Sequence, residues 1–345
     1  MPVMNICFII NSWDTLSPEE DTTMRLIHES VIRGHNVGII YPHNLTIRQS
    51  RTYGFVKKIK KKDKYSSNFT TFHRKTEFNE QLLPLSGFDA IFVRNNPPLD
   101  PVMLNFLDSV KDDTFIINDI NGLRKANNKL YPASFDDPKN EIIPVTHVSK
   151  NKNFLKKVIL ESNKDKMILK PLEGYGGSGV IVLEKRARQN INSLLDFYIS
   201  GKKESNYVIV QEYIDGVEHG DTRVLMLNGE PIGAYKRIPA EDEVRANIKV
   251  GGKPIKHNLT KQEKYICKKI GPKLVADGLY FVGLDIINGK LIEINVCSPG
   301  GITRINHFNR VKLQKKVIDF IEEVVTNKES AINRKRDFKK LIEDA

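Results

Sequence analysis

The chain of 345 residues has few cysteines and no long apolar run, and both absences exclude whole classes of protein. Its three cysteines, Cys7, Cys267 and Cys297, are odd in number, lie far apart and lack metal-ligand spacing. This pattern excludes a secreted disulfide scaffold and a cysteine zinc site, so we expect reduced thiols and a cytoplasmic location. No stretch approaches the roughly 20 apolar residues of a membrane helix, so no membrane partner is expected.

Basic residues exceed acidic ones by 54 to 42, which gives a formal net charge of +12. Such an excess fits either a nucleic-acid partner or a site for anionic small molecules. Part of it lies in two runs, 57–64 and 334–340, and neither run interleaves aromatic residues at regular spacing. The chain also has no zinc, helix-turn-helix or RNA-binding motif. We interpret the runs as solvated lysine-rich surface and expect no nucleic-acid partner.

The first third of the chain has the alternating pattern of an α/β domain with a parallel sheet. A strand, an amphipathic helix and a second strand open the chain, and Gly34 ends the helix. Residues 45–85 are polar and weakly patterned, which indicates ragged strands. The predicted elements of this domain, including the three that open the chain, are strand 4–10, helix 21–33, strand 36–41, strand 89–93, helix 102–110 and strand 114–118.

The rest of the chain is too long to share one core with that domain. Residues 142–213 follow the order strand, helix, glycine hairpin, helix, strand. Two further hairpins follow at 222–236 and 280–296, and a polar stretch and a helix separate them. A last helix is predicted at 312–325. We predict an N-terminal α/β domain at 1–122, subdomains at 123–213 and 214–328 with a mobile loop at 238–252, and a basic tail at 329–345.

The most informative segment is ILKPLEGYGGSGV at 168–180, which places glycines at 174, 176, 177 and 179 downstream of Lys170. Glycines at positive φ expose consecutive backbone N–H groups, which bind phosphate oxygens. The segment lacks the Gly-Lys-Ser/Thr end of a P-loop, and a strand rather than a helix follows it. We predict a glycine hairpin that folds over a nucleotide, with Lys170 near the same phosphates; a plain hairpin turn is the alternative.

A second hairpin, at 280–296, carries Asp285, Glu293 and Asn295 within otherwise apolar strands. Buried carboxylates are costly unless they are neutralised, and oxygen ligands of this kind suit Mg²⁺. Glu293 and Asn295 share a face because the strand period is two. A two-residue loop at 288–289 places Asp285 on the opposite face, whereas a three-residue loop at 287–289 gathers all three ligands.

Several basic side chains have the chemistry to hold anions near these motifs. Arg94 follows strand 89–93, where the carboxyl ends of parallel strands face a ligand crevice. Arg223, Lys236, Arg237 and Arg245 lie between residues 220 and 250, close to Asp221 in sequence. Guanidinium groups suit planar contacts with phosphate or carboxylate, although each arginine alone is more often a surface residue.

Together these segments resemble the prokaryotic type of glutathione synthetase, a family of ATP-grasp ligases. The likeness runs from about residue 4 to about 325. It is carried by RNNPP at 94–98, NKL at 128–130, ILKPLEGYGG at 168–177, GDTRV at 220–224, RIP at 237–239, VGLDII at 282–287 and EIN at 293–295. The resemblance implies an N-terminal parallel α/β domain followed by two α+β subdomains that enclose ATP.

The resemblance also implies a function in glutathione biosynthesis: ATP-dependent joining of γ-glutamylcysteine to glycine through an acyl phosphate. ATP and Mg²⁺, or Mn²⁺, are the implied cofactors, an acidic dipeptide and an amino acid are the substrates, and we expect a homo-oligomer. Asp285, Glu293 and Asn295 are the implied metal ligands. The implied nucleotide-binding residues are Lys129, Lys170, Gly174, Gly176, Gly177, Ser178, Gln211, Glu212, Tyr213, Ile214 and Asp221. The implied catalytic residues are Arg223 and Arg245, and the implied substrate-binding residues are Arg94, Arg237, Gly300 and Gly301.

One segment departs from the best-known members of the family. After Asn295 the chain reads VCSPGGITR, where those members carry Ser-Pro-Thr and a different short stretch. Gly300 and Gly301 either bind the peptide carboxylate through backbone N–H groups or widen the pocket. A peptide ligase of the same fold with another donor or acceptor is therefore one alternative. The other is a catalytically silent ATP- or polyanion-binding protein, against which the complete metal-ligand set argues.

Overall fold

The computed structural model describes residues 2–172, 178–184, 186, 188–200, 206–240 and 251–343. The chain forms two compact units: Met1–Ile120 with Gly300–Ala345, and Asn121–Pro299. We call them the first and the second unit. The division lies two residues before the predicted boundary at 122. Residues 300–328, which we predicted to belong to the C-terminal subdomain, cluster with the first unit instead.

Sixteen strands and ten α-helices lie in the described part of the chain. The strands are β1 (Asn5–Ile9), β2 (Asn36–Ile40), β3 (Leu45–Arg48), β4 (Arg51–Ile59), β5 (Phe78–Pro84), β6 (Ala90–Val93), β7 (Phe115–Ile117), β8 (Thr146–Ser149), β9 (Lys166–Pro171), β10 (Ile181–Glu184), β11 (Val208–Glu212), β12 (Asp221–Leu227), β13 (Glu230–Ile238), β14 (Lys253–Lys256), β15 (Phe281–Ile287) and β16 (Lys290–Asn295). The helices are α1 (Thr22–Ile32), α2 (Phe69–Lys75), α3 (Pro101–Asp108), α4 (Ile120–Ala126), α5 (Leu130–Ala133), α6 (Lys152–Glu161), α7 (Arg188–Ile199), α8 (Lys261–Ala276), α9 (Ile302–Asn309) and α10 (Leu313–Glu343).

The first unit is built on a seven-stranded sheet in the order β3-β4-β2-β1-β6-β7, with β5 paired to β4. Strands β2, β1, β6 and β7 are parallel, as the β-α-β opening predicts. Residues 6–9 of β1 are fully buried because helices cover parallel sheets on both faces. The side chain of Asp21 caps α1 by accepting a hydrogen bond from the Thr23 N–H (2.6 Å). The weakly patterned stretch 45–85 forms antiparallel strands and α2.

The second unit contains two antiparallel sheets, one of four strands in the order β10-β9-β11-β8 and one of five in the order β14-β13-β12-β15-β16. The predicted order of strand, helix, glycine hairpin, helix and strand is confirmed by β8, α6, β9, β10, α7 and β11. Helices α6 and α7 pack on the smaller sheet through a core that includes Leu155, Ile159, Leu169, Leu195 and Val208. This core fixes the strand that carries Lys170.

Two elements differ from the prediction at the end of the chain. The pattern did not predict α9, which is only eight residues long. Helix α10 continues without a break to Glu343, through the predicted tail. Its buried side chains end at Val325, and beyond that point the helix is exposed. No described helix is both long enough and apolar enough to span a membrane.

Candidate active site

The hairpin of β15 and β16 brings the predicted metal ligands together by a device that the sequence did not reveal. Its turn has two residues, Asn288 and Gly289, with φ of 43° and 74°, which fits a type I′ turn. Ile287 pairs with Lys290, but the register then shifts, so that Asp285 lies opposite Glu293. Ile292 is the extra residue of this bulge, which puts Asp285 and Glu293 on the same face of the hairpin. Our inference that a two-residue loop separates Asp285 from Glu293 was therefore wrong, although the predicted convergence of the two residues is observed.

Asp285 lies at the centre of a buried ion-pair cluster. The Arg223 Nε donates to Asp285 Oδ1 (2.5 Å) and Arg223 Nη2 donates to Oδ2 (2.9 Å), a two-point contact between residues directly opposite each other on β12 and β15. Arg237 Nη2 lies 2.9 Å from the same Oδ1. Burial alone raises the pKa of Asp285, but the charges of Arg223 and Arg237 outweigh burial and lower it to about 2. Asp285 is therefore ionised and strongly held before any ligand binds.

Asp221 and Arg237 form the second half of this cluster. The Arg237 Nε donates to Asp221 Oδ1 (2.6 Å), and Arg237 Nη2 donates to Oδ2. Both side chains are buried, and the two residues pair across β12 and β13. Gly220 precedes Asp221 at φ 85°, and a Cβ there would lie 2.1 Å from the Arg237 carbonyl oxygen. Only glycine allows this approach, so Gly220 fixes the start of β12 beside Arg237.

Glu293 differs from Asp285 although the two lie opposite each other. Burial raises the pKa of Glu293 and the negative charge of Asp285 raises it further, against the opposing charges of Lys129, Lys170 and Arg223. The Asn295 Nδ2 donates to Asp285 Oδ2 (3.1 Å), which leaves its amide oxygen for a cation. Two carboxylates and an amide oxygen suit a divalent cation, which would relieve the repulsion between the carboxylates. The described ranges contain no cluster of three or more His, Cys, Asp or Glu that could hold a metal, so a cation site here would need the Asn295 amide oxygen as its third protein ligand.

Lys170 is a buried cation at the end of a hydrogen-bonded chain. Its Nζ donates to Gln211 Oε1 (2.9 Å), and the Gln211 Nε2 donates to Thr146 Oγ1 (2.8 Å). Burial lowers the pKa of Lys170 to about 8; Glu293 opposes this shift and Lys129 adds to it. Lys129 is tied to the same strand end, because its N–H donates to the Leu172 carbonyl oxygen (3.2 Å). Two cations and Glu293 thus lie within electrostatic range of one another.

The affinity of the free enzyme for ATP is expected to fall as the pH rises through about 8. Below that pH Lys170 carries its proton and attracts the triphosphate. Above it, binding must take up a proton, so the association constant falls by up to about tenfold per pH unit. Titration with a non-hydrolysable ATP analogue over about pH 7 to 9.5 measures the profile. Lys170→Gln is the control, expected to bind weakly and without this pH dependence; a wild-type profile as flat as that of the variant contradicts the assignment.

The other predicted nucleotide residues are placed at the end of β11 and in the glycine hairpin. The Glu212 Oε1 lies 3.1 Å from Lys164 Nζ. Among the described residues, no hydrogen bond reaches the backbone of Tyr213 or Ile214, which follow the strand. Gly179 has φ 68°, and its carbonyl oxygen accepts a hydrogen bond from the Tyr198 hydroxyl (2.7 Å), while Ser178 is exposed. Gly174, Gly176, Gly177, Arg245 and most of the predicted loop 238–252 lie outside the described residues.

The predicted substrate residues in the first unit lie close to α1. Arg94 is buried after β6, and its Nε donates to Thr23 Oγ1 (3.0 Å). The Gly301 N–H donates to Thr22 Oγ1 (3.2 Å), so this donor has an internal partner rather than facing a substrate carboxylate. A Cβ at Gly300 would have nothing within 4 Å in the described part of the chain. The internal partner of the Gly301 N–H argues against carboxylate binding by that group, and the wider pocket stays a prediction.

Two models of the prokaryotic glutathione synthetase family match the chain, that of the N-terminal domain over residues 4–124 and that of the ATP-grasp domain over 128–310. The glutathione synthetase of Gloeobacter violaceus is 34% identical over 329 residues, which cover 93% of this chain and 97% of the relative. That of Thermosynechococcus vestitus is 34% identical over 325 residues, covering 92% and 99%.

Solved structures support the fold at much lower identity. A D-cycloserine synthetase superposes with a TM-score of 0.60 at 15% identity, covering 92% of this chain and 99% of that chain. The ATP-grasp ligase PsnB, complexed with its minimal precursor, gives 0.60 at 14% identity, covering 92% and 98%. The family matches, the named relatives and the residues around Asp285 all point to the same family of enzymes. The chain belongs to the prokaryotic glutathione synthetase family and is an ATP-grasp ligase, an enzyme that forms a C–N bond.

Proposed function

We propose that the chain joins γ-glutamylcysteine to glycine at the expense of ATP, through an acyl phosphate. The observation that carries the proposal is the convergence of Asp285, Glu293 and Asn295 on one hairpin, with Lys170 and Lys129 in electrostatic range of Glu293. A site with paired carboxylates facing paired lysines suits a metal-bound triphosphate. The proposed identity of the substrates rests on family membership and on the names of the relatives.

Lys170 and Lys129 are the proposed contacts to the ATP phosphates. Lys170 loses solvation in the free enzyme, so an anionic ligand restores a favourable environment for its charge. The backbone groups of Tyr213 and Ile214 are the proposed contacts to the adenine edge, and Gln211 orients Lys170. A ribose contact by Asp221 stays a prediction. It requires that a carboxylate oxygen of Asp221, which already accepts from Arg237, also accepts a hydrogen bond from a ribose hydroxyl.

Asp285, Glu293 and Asn295 are proposed to hold Mg²⁺, with Mn²⁺ as a substitute. The ion supplies neutralisation of the phosphate oxygens when it is bound. Arg223 and Arg237 fix the Asp285 carboxylate by three contacts, so this ligand does not have to be ordered when the ligands bind. Burial and the negative charge of Asp285 raise the pKa of Glu293, against the charges of Lys129, Lys170 and Arg223. Asp285 is therefore the fixed ligand of the proposed site, and a bound cation would relieve its repulsion of Glu293.

The proposed reaction needs no side-chain nucleophile. An oxygen of the cysteinyl carboxylate bonds to the γ-phosphorus while the bond to the bridging oxygen breaks and ADP leaves. The glycine amine then attacks the acyl carbon, the C–O bond to phosphate breaks, and the amine loses its proton. Lys170, Lys129 and Arg223 lower the barrier by holding anions close together and offsetting charge on the phosphoryl oxygens. Arg245 is also proposed to act on the substrate side.

Arg94 is the proposed contact to a carboxylate of the dipeptide, because it follows the carboxyl end of parallel strand β6, where α/β sheets bind ligands, and guanidinium groups suit contact with carboxylates. Arg237 enters the proposal as the partner of Asp221 and Asp285. The open space beside Gly300 favours a second candidate, a ligase of the same chemistry that accepts an amine larger than glycine. The two candidates differ only in the acceptor.

Incubation of the purified protein with ATP, Mg²⁺, a mixture of γ-glutamyl dipeptides and a mixture of amino acids distinguishes the two candidates. Mass spectrometry is expected to find one dominant product, γ-glutamylcysteinylglycine, and its formation should stop when EDTA is added. A dominant product with another amine selects the second candidate. ATP hydrolysis without any condensed product contradicts both.

A further inference from the structure

The segment between β4 and β5 forms a pocket whose charge the ligase reaction does not use. Residues 60–77 leave the sheet at Ile59 and return at Phe78, and these two residues pair across the strands. The Lys60 N–H donates to the Glu77 carbonyl oxygen (2.9 Å) and closes the base of the segment. A pocket of about 510 Å³ lies between the loop and α2. This volume is in the range of small-molecule sites.

The wall of the pocket is held in place by contacts within the first unit. Phe72 of α2 is buried and meets the rings of Trp13, His28 and Tyr65 edge to face, with centroid distances of 6.4, 4.9 and 5.9 Å. His28 Nε2 lies 2.8 Å from the Ser66 carbonyl oxygen, which pins the loop. The pocket is therefore part of the packed structure rather than a gap beneath a loose loop.

The lining of the pocket is strongly basic. Four lysines and one glutamate are its only charged residues in the described chain, so the lining carries a net charge of +3: Lys60, Lys62, Lys64, Lys75 and Glu77. The Glu77 carboxylate lies 2.9 Å from Lys62 Nζ and 3.3 Å from Lys60 Nζ, and these lysines hold the pKa of Glu77 below its usual value. The one anion is thus shared by two cations.

Lys64 and Lys75 have no carboxylate within salt-bridge distance among the residues that the structure describes. Lys62 Nζ donates to the Lys75 carbonyl oxygen (2.7 Å), which keeps the Lys62 ammonium beside this end of α2. Ile59 and Phe72, both buried, and the ring of Tyr65 supply an apolar side to the same pocket. Lysine ammonium groups bind phosphate as point charges, and aromatic rings pack against flat organic groups.

We propose that this pocket binds a small organic phosphate, with the phosphate held by Lys64 and Lys75 and the organic part packed on the ring of Tyr65. A phosphate dianion offsets two of the three net positive charges of the lining. None of the residues that line this pocket belongs to the Lys170 and Asp285 cluster of the second unit. The proposal rests on the lining alone and holds whichever amine the ligase accepts.

Naphthyl phosphate is a suitable probe, because it combines a phosphate dianion with a flat apolar ring. Its binding is titrated by calorimetry with ADP and Mg²⁺ present in excess to fill the nucleotide site. We expect saturable binding of one molecule per chain that Lys64→Gln/Lys75→Gln weakens by about tenfold or more. Naphthol, which lacks the phosphate, is expected to bind far more weakly.

The matched control is Lys61→Gln/Arg74→Gln. It removes the same charge from the same segment, but neither residue lines the pocket. We expect it to change the dissociation constant by about twofold or less, the effect of solvent-screened surface charge that does not contact the ligand. Equal weakening by the two double variants, equal binding of naphthol, or no saturable binding overturns the proposal. All four replaced side chains are exposed, so both variants are expected to fold, and melting curves check this.

Discussion

Replacement of Glu293 by alanine is expected to remove nearly all Mg²⁺-dependent ligation while leaving the fold intact. Glu293 lies opposite Asp285, whose charge raises its pKa, so its main energetic role is toward a bound cation. Loss of a metal ligand beside the transferred phosphoryl group should lower kcat by about a thousandfold. The rate is measured as phosphate release at saturating ATP, γ-glutamylcysteine and glycine, over a Mg²⁺ titration.

The matched control for this experiment is Glu184→Ala. It removes a partly exposed carboxylate from β10, in the four-stranded sheet of the second unit. It is expected to keep the wild-type rate and Mg²⁺ dependence. The midpoint of thermal unfolding of Glu293→Ala should stay close to that of the wild type, since the variant removes a carboxylate whose ionised form burial disfavours. Near-normal turnover in Glu293→Ala would contradict the assignment of the metal ligands.

Replacement of Asp285 by alanine is expected to abolish activity and also to destabilise the protein. The change removes the carboxylate that contacts both Arg223 and Arg237, while these two guanidinium groups stay buried. Removal of one partner from a buried ion pair costs about 3–5 kcal/mol, because the remaining charge stays desolvated. Substitution of the two proposed metal ligands should therefore have different effects on stability. Both variants lose activity, but only Asp285→Ala is destabilised. Thermal or urea unfolding of the metal-free protein measures the difference.

A double variant distinguishes charge imbalance from simple loss of packing. Arg223→Met with Asp285→Leu removes both partners and fills the space with apolar groups, while Arg237 keeps Asp221. Such replacements of buried pairs are often neutral or stabilising, so the double variant should regain most of the stability that Asp285→Ala loses. A double variant as unstable as Asp285→Ala would show that the cluster stabilises the sheet by another means.

The sequence predicted that Asp285, Glu293 and Asn295 converge on one hairpin, but not the geometry by which they do so. Apolar strands that contain Asp285, Glu293 and Asn295 were sufficient to indicate the convergence, but the sequence left open whether the loop has two residues or three. The bulge at Ile292 leaves no local signal, because any residue can occupy the extra position of a bulge. Strand parity alone therefore gave the wrong face for Asp285.

The partners of the charged residues were equally inaccessible to sequence reasoning. Asp221, Arg223 and Arg237 were predicted as separate ligand contacts, but the pairing of β12 with β13 and β15 makes them partners of one another and of Asp285. Lys170 was placed near phosphate by the glycine pattern, whereas its support by Gln211 depends on the register of β9 and β11. Strand register is a tertiary property, set by packing across the whole sheet.

The central claim is that the cysteinyl carboxylate is activated by phosphoryl transfer before the amine attacks. γ-Glutamylcysteine carrying ¹⁸O in its cysteinyl carboxylate, incubated with ATP, Mg²⁺, glycine and the enzyme, tests it most directly. The account predicts one ¹⁸O atom in each phosphate released, with the other retained in the carbonyl of the new peptide bond. Unlabelled phosphate together with labelled peptide product would contradict it.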